Sequence, residues 1–465
     1  MEAAIILVFV MGYLAITLEH NIKLDKLIPA LVMMAICWAL VALGVDGFTN
    51  WFDSSQHALV EGFAGLPHND KLHLVEETLL HHLGKTAEIL VFLLGAMTIV
   101  EIIDYFDGFS TIKDYVKTKS KKKILWMFGV LAFILSAIID NLTATIVLIS
   151  ILQKIVKRRE DRIWFAGLII IAANAGGAWS PIGDVTTTML WIGKKVSTQM
   201  LLVYLFIPSL LCMVVPTIIA SFLPAFQGDI ESDEVLEETK KNPHSARMLY
   251  LGLGAIVFVP FFKTVTHLPP YVGMMLSLAI VATFAEIYSR SKFSLTDYNS
   301  EESDAHAHHS PVHASLSKIE MPSILFFLGI LMAVAALESL GILFNFADNL
   351  KESIPLMGSE VAGTNVSDLV VILLGIGSAI IDNVPLVAAS LGMFSEPIDN
   401  PLWHFIAFSA GTGGSMLIIG SAAGVVAMGM EKIDFFWYLK KISWLAFIGF
   451  LVGSIAFVIM RGFII

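Results

Sequence analysis

The hexapeptide Ser-Ala-Ile-Ile-Asp-Asn occurs twice in this chain, at residues 136–141 and 378–383. Each copy places an aspartate and an asparagine inside a long apolar stretch. A carboxylate at membrane depth is energetically costly and usually belongs to a functional site. The repeat therefore predicts a membrane protein of two related halves, with a polar site to which both halves contribute.

Other segments repeat in the same order and at nearly the same separation, as expected for an internal duplication. Asp140 and Asp382 are 242 residues apart. The glycine-rich segments 175–183 and 412–420 are 237 residues apart, and each has a Gly-Gly pair followed by another glycine. Two apolar segment pairs nearer the start of each half keep the same order. The duplication therefore extends over most of the chain.

The composition agrees with a membrane protein. Hydrophobic residues make up 56% and charged residues 15%, against roughly 45–50% and about 25% in soluble domains. Apolar runs near the ~20 residues of a membrane-spanning helix recur about a dozen times. We therefore predict an all-α polytopic membrane protein in a lipid bilayer. A net charge of −11 argues against a nucleic-acid partner, and nothing in the sequence implies a cofactor or a soluble protein partner.

Two basic clusters, at 113–123 and 154–162, flank a stretch of 30 residues in which Asp140 is the sole charge. This stretch exceeds one membrane-spanning helix and is too short for two. Because basic loops are usually cytoplasmic, we predict a re-entrant helical hairpin over 124–153 that enters from the cytoplasm. The second hairpin, over 369–394, has acidic flanks and is expected to enter from outside.

Hairpins of opposite direction predict two inverted-topology repeats, an architecture of secondary transporters. Each repeat also has a predicted broken membrane-spanning helix, at 163–192 and 402–430, because glycines, and in the first also a proline, weaken a helix. Unwound backbone at that depth must be buried in protein or line a cavity. The predicted boundaries are a first repeat, an acidic cytoplasmic linker and a second repeat, over residues 1–223, 224–247 and 248–465.

The two hairpin tips and two breaks are expected to surround one point. Their polar side chains include no Lys, Arg or His and are Asp140, Asn141, Thr143, Thr145, Asn174, Ser180, Asp184, Thr186, Thr187, Thr188, Ser378, Asp382, Asn383, Ser409, Thr412, Ser415 and Ser421. Such oxygen ligands suit a small hard cation. Carboxylates also bind protons, so Na⁺ at Asp140, Asp184 and Asp382 would compete with H⁺. Competition at one alternating-access site is sufficient for exchange.

Residues 136–145, 173–188 and 378–385 closely resemble the NhaD-type sodium/proton antiporters of the ion transporter superfamily, and the resemblance covers 28–462. It implies a homodimer with an elevator-type transport domain, exchanging Na⁺ or Li⁺ for H⁺ in a bacterial inner membrane or a plastid envelope. Relatives that carry dicarboxylates have Ser-Asn-Thr at the tips, and Asp in place of Ser favours a cation here. The resemblance points to Asp140, Asn141, Asn174, Asp184, Thr186, Thr187, Ser378, Asp382, Asn383, Ser415 and Ser421.

Alternatives remain open from the residues themselves. Asp140 and Asp184 could serve only as helix N-caps, and the glycine pairs at 176–177 and 413–414 could be close-packing sites between helices. The solute could be a dicarboxylate or arsenite. The membrane carboxylates could also belong to an intramembrane aspartyl protease, and a non-transporting membrane scaffold is a further alternative.

Other ionisable residues are candidates for a proton route or pH sensing: Glu88, Glu101, Asp104, Glu338, His81 and His82. Glu101 and Asp104 could instead simply reach water at the end of their helix. Further histidines, His57, His68, His73, His306, His308, His309 and His313, could belong to solvated loops or bind metal adventitiously. The segment 72–84 is amphipathic and is expected to lie on the outer membrane surface.

Overall fold

The computed structural model of the chain describes residues 1–17, 22–53, 58–113, 118–230, 243–291, 310–343, 361, 364, 366–380 and 383–464. Several residues singled out by the sequence lie outside these described residues: Asp382, His57, His306, His308, His309 and the acidic segment 231–242.

The described chain is almost entirely helical. Its helices are α1 (Glu2–Thr17), α2 (Leu27–Gly44), α3 (His68–Tyr105), α4 (Ser110–Lys113), α5 (Lys121–Ile139), α6 (Asn141–Ile155), α7 (Arg159–Ala178), α8 (Val185–Ile192), α9 (Thr198–Ser221), α10 (Ser245–Thr266), α11 (Pro270–Ser291), α12 (Pro311–Leu316), α13 (Met321–Ser339), α14 (Asp368–Gly377), α15 (Asn383–Met393), α16 (Pro401–Gly413), α17 (Ala422–Glu431), α18 (Phe435–Lys441) and α19 (Ser443–Ile464). Short 3₁₀ turns cover Val45–Gly47, Phe63–Gly65 and Pro224–Phe226. Strands β1 (Phe52–Asp53) and β2 (Ala58–Leu59) form a small antiparallel ribbon with Phe52 opposite Leu59.

Eight helices of the described part are long and apolar enough to cross a membrane. The segment 72–84 was expected to lie on the outer membrane surface. It does not form a separate surface helix but belongs to α3. It is continuous with the apolar part of α3, whose 38 residues make a rod of about 57 Å at 1.5 Å per residue. No proline interrupts this segment, so its first turns extend the spanning helix beyond the ~30 Å apolar core of a bilayer.

Each copy of the repeated hexapeptide lies where one helix ends and the next begins. In the first half α5 ends at Ile139 and α6 begins at Asn141, so only Asp140 separates them. In the second half α14 ends at Gly377 and α15 begins at Asn383. Asp140 has a positive φ of 80°, a strained conformation for a residue with a Cβ atom. Helices α5 and α6 pack against each other, so the chain reverses at Asp140.

The ends of the α5–α6 segment lie at the same end of the molecule. At its start, Lys121 Nζ lies 2.7 Å from Asp161 Oδ1. Near its end, Gln153 Nε2 donates to Glu431 Oε1 at 3.0 Å, and the same carboxylate accepts from Arg162 Nε at 3.0 Å. Because Asp161 and Arg162 are neighbours, these contacts bring both ends of the segment to the first turn of α7.

Each half also has an apolar helix pair separated by a short non-helical segment. Residues 179–184 separate α7 from α8, and residues 414–421 separate α16 from α17. Within the predicted broken helix at 163–192, α7 continues to Ala178, so the break follows the Gly-Gly pair at 176–177 instead of lying at it. A Cβ atom at Gly176 would collide with the backbone of Phe133, and one at Gly413 would collide with the backbone of Gly375. These two glycines therefore allow close helix packing, as the alternative interpretation predicted.

Contacts between the halves are reciprocal. Helix α6, which follows the first tip, packs against α17, which follows the second break; α15, which follows the second tip, packs against α8, which follows the first break. The last long helices of the two halves, α9 and α19, also pack along each other. This arrangement brings the region of the two tips and the two breaks together.

Candidate functional site

Asp140 forms the N-cap of α6. Its Oδ1 accepts a hydrogen bond from the backbone N–H of Thr143 at 2.8 Å, and its Oδ2 accepts from Thr143 Oγ1 at 2.9 Å. The carboxylate thus satisfies backbone donors at the positive end of the helix. The cap role that the sequence left open is confirmed, and it is compatible with a role as a ligand because each carboxylate oxygen has a second lone pair.

Asp184 is the carboxylate at which the two halves meet. It is 2% exposed and caps α8, with Oδ1 accepting from the backbone N–H and from Oγ1 of Thr186, both at 2.9 Å. Its Oδ2 accepts from Asn141 Nδ2 at 2.9 Å and from Asn383 Nδ2 at 3.1 Å. One asparagine from each repeated hexapeptide therefore binds the same oxygen atom.

Asn174, inside α7, extends this network to the second break. Its Oδ1 accepts from Asn141 Nδ2 at 3.0 Å. Its Nδ2 donates to Ser415 Oγ at 3.0 Å and to Ser421 Oγ at 2.9 Å. The result is one buried hydrogen-bonded network that joins Asp184, Asn141, Asn383, Asn174, Ser415 and Ser421.

The orientation of the two amides follows from chemistry. An ionised carboxylate only accepts hydrogen bonds, so Asn141 and Asn383 must present their NH₂ groups to Asp184. Each amide oxygen is therefore turned away from Asp184. Amide oxygens are suitable ligands for a small hard cation. The network thus combines a carboxylate with amide and hydroxyl oxygens in a region shielded from water.

Two predicted site residues use their hydroxyls elsewhere. Thr187 Oγ1 donates to the carbonyl oxygen of Ser180 at 2.7 Å. Ser378 Oγ donates to the carbonyl oxygen of Ala410 at 2.7 Å, and the equivalent Ser136 Oγ donates to Ala173 O at 2.6 Å. These hydroxyls satisfy backbone carbonyls and fix the loops. The Thr187 hydroxyl also lies 2.9 Å from the backbone carbonyl oxygen of Asp184, so both hydroxyls bind backbone carbonyls instead of the side chains of the network.

A cavity of about 390 Å³ lies beside the first tip. Thr143, which donates to Asp140, lines it together with Glu101 and Asp104 of α3. Lys154, of the basic cluster at 154–162, and Lys318 also line it. Glu101 is half-buried and Asp104 is exposed. The cavity therefore connects the neighbourhood of Asp140 to the end of the molecule that carries the basic clusters.

The other candidate ionisable residues lie apart from the network. Glu338 belongs to α13 and sits beside Gly392 of α15, where a Cβ atom would be 3.3 Å from Glu338 Oε2. His81, His82 and Glu88 belong to α3, with His82 buried and the other two half-buried. Among the described residues, no group of three or more His, Cys, Asp or Glu side chains could hold a metal ion. The predicted three-carboxylate sodium site includes Asp382, which lies outside that part of the chain.

Sequence reasoning missed several buried polar contacts. Tyr438 Oη donates to the carbonyl oxygen of Ser415 at 2.8 Å, and no sequence pattern indicated it. Arg461 forms a bidentate pair with Asp368, with N–O distances of 2.6 and 3.0 Å. An arginine and an aspartate at the ends of apolar segments were a usable signal, because intramembrane charges are commonly paired.

Comparison with known proteins bears on the family. Residues 6–403 match the CitMHS family, described as citrate transporter. Sodium/proton antiporter 1 of Arabidopsis thaliana is 41% identical over 98% of this chain and 72% of its own. The Na⁺/H⁺ antiporter NhaD of Vibrio cholerae is 31% identical over 94% of this chain and 87% of its own. The chain belongs to the NhaD-type sodium/proton antiporter family. The resemblance seen in the sequence is thereby confirmed.

Family membership also limits the alternatives. NhaD-type relatives are named as antiporters, so the protease alternative is wrong and the chain is a multi-pass membrane protein rather than an enzyme. The fold resembles that of the Alcanivorax borkumensis YdaH transporter, with a TM-score of 0.58 at 12% identity over 94% of this chain and 98% of that one. Relatives occur in both bacteria and Arabidopsis, so membership does not single out one kind of membrane.

Proposed function

We propose that this protein is a secondary transporter that exchanges Na⁺ or Li⁺ for H⁺ by alternating access. The observation that carries the proposal is the position of Asp184, a buried carboxylate that accepts hydrogen bonds from Asn141 and Asn383 of the two repeated hexapeptides. Relatives of 28–41% identity that are named sodium/proton antiporters support exchange of Na⁺ for H⁺.

The proposed chemistry is competition between a cation and protons. An ionised carboxylate attracts Na⁺ as a ligand, whereas a bound proton neutralises that charge. Asp140, Asp184 and Asp382 are the proposed carboxylate ligands, and amide and hydroxyl oxygens of the buried network complete the ligand set. A site that holds either ion but not both couples their movements in opposite directions.

We propose that the two halves are inverted-topology repeats with re-entrant hairpins at the two hexapeptides. The contacts of both ends of α5–α6 with the first turn of α7 and with Glu431 support a hairpin that returns to its own side. The reciprocal packing of α6 on α17 and α15 on α8 supports a twofold-related pair. Such an arrangement places broken helices from both halves around one midplane site.

The proposed cytoplasmic access route is the cavity beside Thr143, with Glu101 and Asp104 on its wall as acceptors for entering protons or cations. We propose the same role toward the other side for Glu338, which lies beside Gly392 of α15. His81 and His82 are the proposed candidates for pH sensing. We further propose elevator-type movement in a homodimer and a location in a bacterial inner membrane, which the bacterial relatives support.

A carboxylate anion is the second candidate solute, because the matching family carries the description citrate transporter. The site favours the cation. Helix N-termini attract anions, but those of α6 and α8 are already capped by Asp140 and Asp184. The side chains that join the buried network are carboxylate, amide and hydroxyl groups, all of which can act as ligands to a cation.

The test is ion exchange by the purified protein in sealed proteoliposomes containing a pH-sensitive dye. NaCl and LiCl are expected to drive proton movement, whereas KCl and sodium-free citrate are not. Asp184→Asn protein in matched vesicles provides the inactive reference. Citrate-driven uptake without a response to NaCl would instead establish the anion transporter.

A further inference from the structure

Tyr438 reaches the second break from outside the four loops of the site. It belongs to the short helix α18, and its side chain is fully buried. Its Oη donates to the carbonyl oxygen of Ser415 at 2.8 Å. Ser415 lies two residues after the end of α16, in a non-helical segment whose backbone carbonyls have no partner within the helix. Tyr438 therefore satisfies a carbonyl of the break itself.

In the first break, the backbone carbonyls receive their hydrogen bonds from different side chains. Thr187 Oγ1 donates to Ser180 O at 2.7 Å, and Thr188 Oγ1 donates to Pro181 O at 2.9 Å. Two threonines of the following half-helix thus hold the carbonyls of residues 179–184. At the 237-residue separation of the glycine-rich segments, their counterparts are Gly424 and Val425, which have no hydroxyl. The second half-helix cannot supply the same hydrogen bonds.

Ser415 links this backbone contact to the site. Its Oγ accepts from Asn174 Nδ2 at 3.0 Å, and Asn174 in turn accepts from Asn141, which donates to Asp184. The position of the Ser415 backbone sets where its hydroxyl meets Asn174. We propose that Tyr438 is a positioning residue for the cation site and holds the second break in the geometry that the network requires. This inference rests on the proposed function.

The test compares Tyr438→Phe with Tyr204→Phe in proteoliposomes. Tyr204 is likewise buried, and loss of its hydroxyl leaves the network untouched, so it is the matched control. For Tyr438→Phe we expect the apparent sodium constant, the Na⁺ concentration that gives half-maximal exchange, to rise roughly two- to tenfold. This is the effect of one lost hydrogen bond. The maximal exchange rate is expected to stay near that of the parent protein. The Tm increase caused by NaCl relative to choline chloride is expected to shrink in Tyr438→Phe alone.

A double-mutant cycle with Ser415→Ala tests the route of the effect. If Tyr438 acts through Ser415, the sodium constants of the single variants and the double variant are non-additive. An unchanged sodium constant in Tyr438→Phe, full additivity, or an equal effect in Tyr204→Phe overturns the inference while sodium exchange by the parent protein still stands. A parent protein without sodium-dependent exchange or a sodium-dependent Tm overturns the proposed function and this inference together.

Discussion

Ser421 caps α17 in the way that Asp184 caps α8. Ser421 Oγ accepts from the backbone N–H of Gly424 at 3.2 Å, and Asp184 Oδ1 accepts from that of Thr186 at 2.9 Å. The two positions are 237 residues apart, the separation of the glycine-rich segments. A neutral hydroxyl therefore stands in the second half where the first half has a charge, so the two breaks contribute unequally to the site.

The first prediction concerns that charge. Asp184→Asn is expected to reduce sodium-driven proton movement to background, because an amide cannot exchange a proton for Na⁺ and, with its oxygen on the cap, presents an NH₂ group to the amide donors of Asn141 and Asn383. Exchange is measured in proteoliposomes at matched protein density. Asp25→Asn is the control, since Asp25 Oδ1 also caps a backbone N–H, that of Leu27 at 2.9 Å, and is exposed. Substantial exchange by Asp184→Asn would remove this residue from the ion site.

The second prediction separates the two roles of Asp140. Asn matches Asp in size and also caps helices, so Asp140→Asn is expected to lose exchange and retain stability. Asp140→Ala loses the cap as well, which is expected to cost about 1–2 kcal/mol and to lower the Tm in detergent. Asp382→Asn is predicted to lose exchange in the same way. Normal exchange by Asp140→Asn would leave Asp140 with a capping role alone.

The third prediction follows from competition between protons and sodium. Below the pKa that governs the site, each unit of decrease in pH is expected to raise the apparent sodium constant about tenfold for one competing proton, equivalent to ~1.4 kcal/mol. The sign follows because protonation removes the negative charge that Na⁺ requires. Maximal exchange should change far less. The measurement is a sodium titration at several pH values, equal on both sides of the membrane.

A distant switch gives a different pH response. If His81 and His82 gate the protein, the maximal rate of exchange falls as the pH is lowered, while the apparent sodium constant does not change. That result would contradict competition at a shared site, and His81, His82, Glu101 and Asp104 would be the next residues to substitute.

The fourth prediction concerns the first hairpin. Lys119 and Lys157 lie near its two ends, and both are exposed. Single cysteines at the two positions are expected to react with an impermeant maleimide from the cytoplasmic side only. Ile398→Cys, in the loop before α16 and 56% exposed, is expected to react from the other side. The native Cys37 and Cys212 are buried. Labelling of positions 119 and 157 from opposite sides would exclude a re-entrant hairpin.

The sequence predicted where the helices end at Asp140 and which residues form most of the network, because polar residues inside apolar runs are costly unless a folded site binds them. It did not predict where α7 ends. A Gly-Gly pair is compatible with both unwinding and close packing, and the choice depends on the helix that packs against it, here through the backbone of Phe133.

The roles of individual hydroxyls were also beyond the sequence. Whether Thr187 binds an ion or the Ser180 carbonyl depends on which backbone groups the break leaves unsatisfied, and that is a property of the folded loop. The contact of Tyr438 with Ser415 depends in addition on the path of the chain after α17. Neither relationship leaves a periodic or local pattern in the residues.

Glu431 joins three parts of the site at one end of the molecule. Its carboxylate binds Gln153 at the end of α6 and Arg162 at the start of α7, while Glu431 itself ends α17. The Glu431 side chain is 1% exposed, and removing one partner of a buried ion pair typically costs about 3–5 kcal/mol. Glu431 therefore joins α6, α7 and α17 at one end of the molecule. If the site moves as proposed, these three helices are expected to move together.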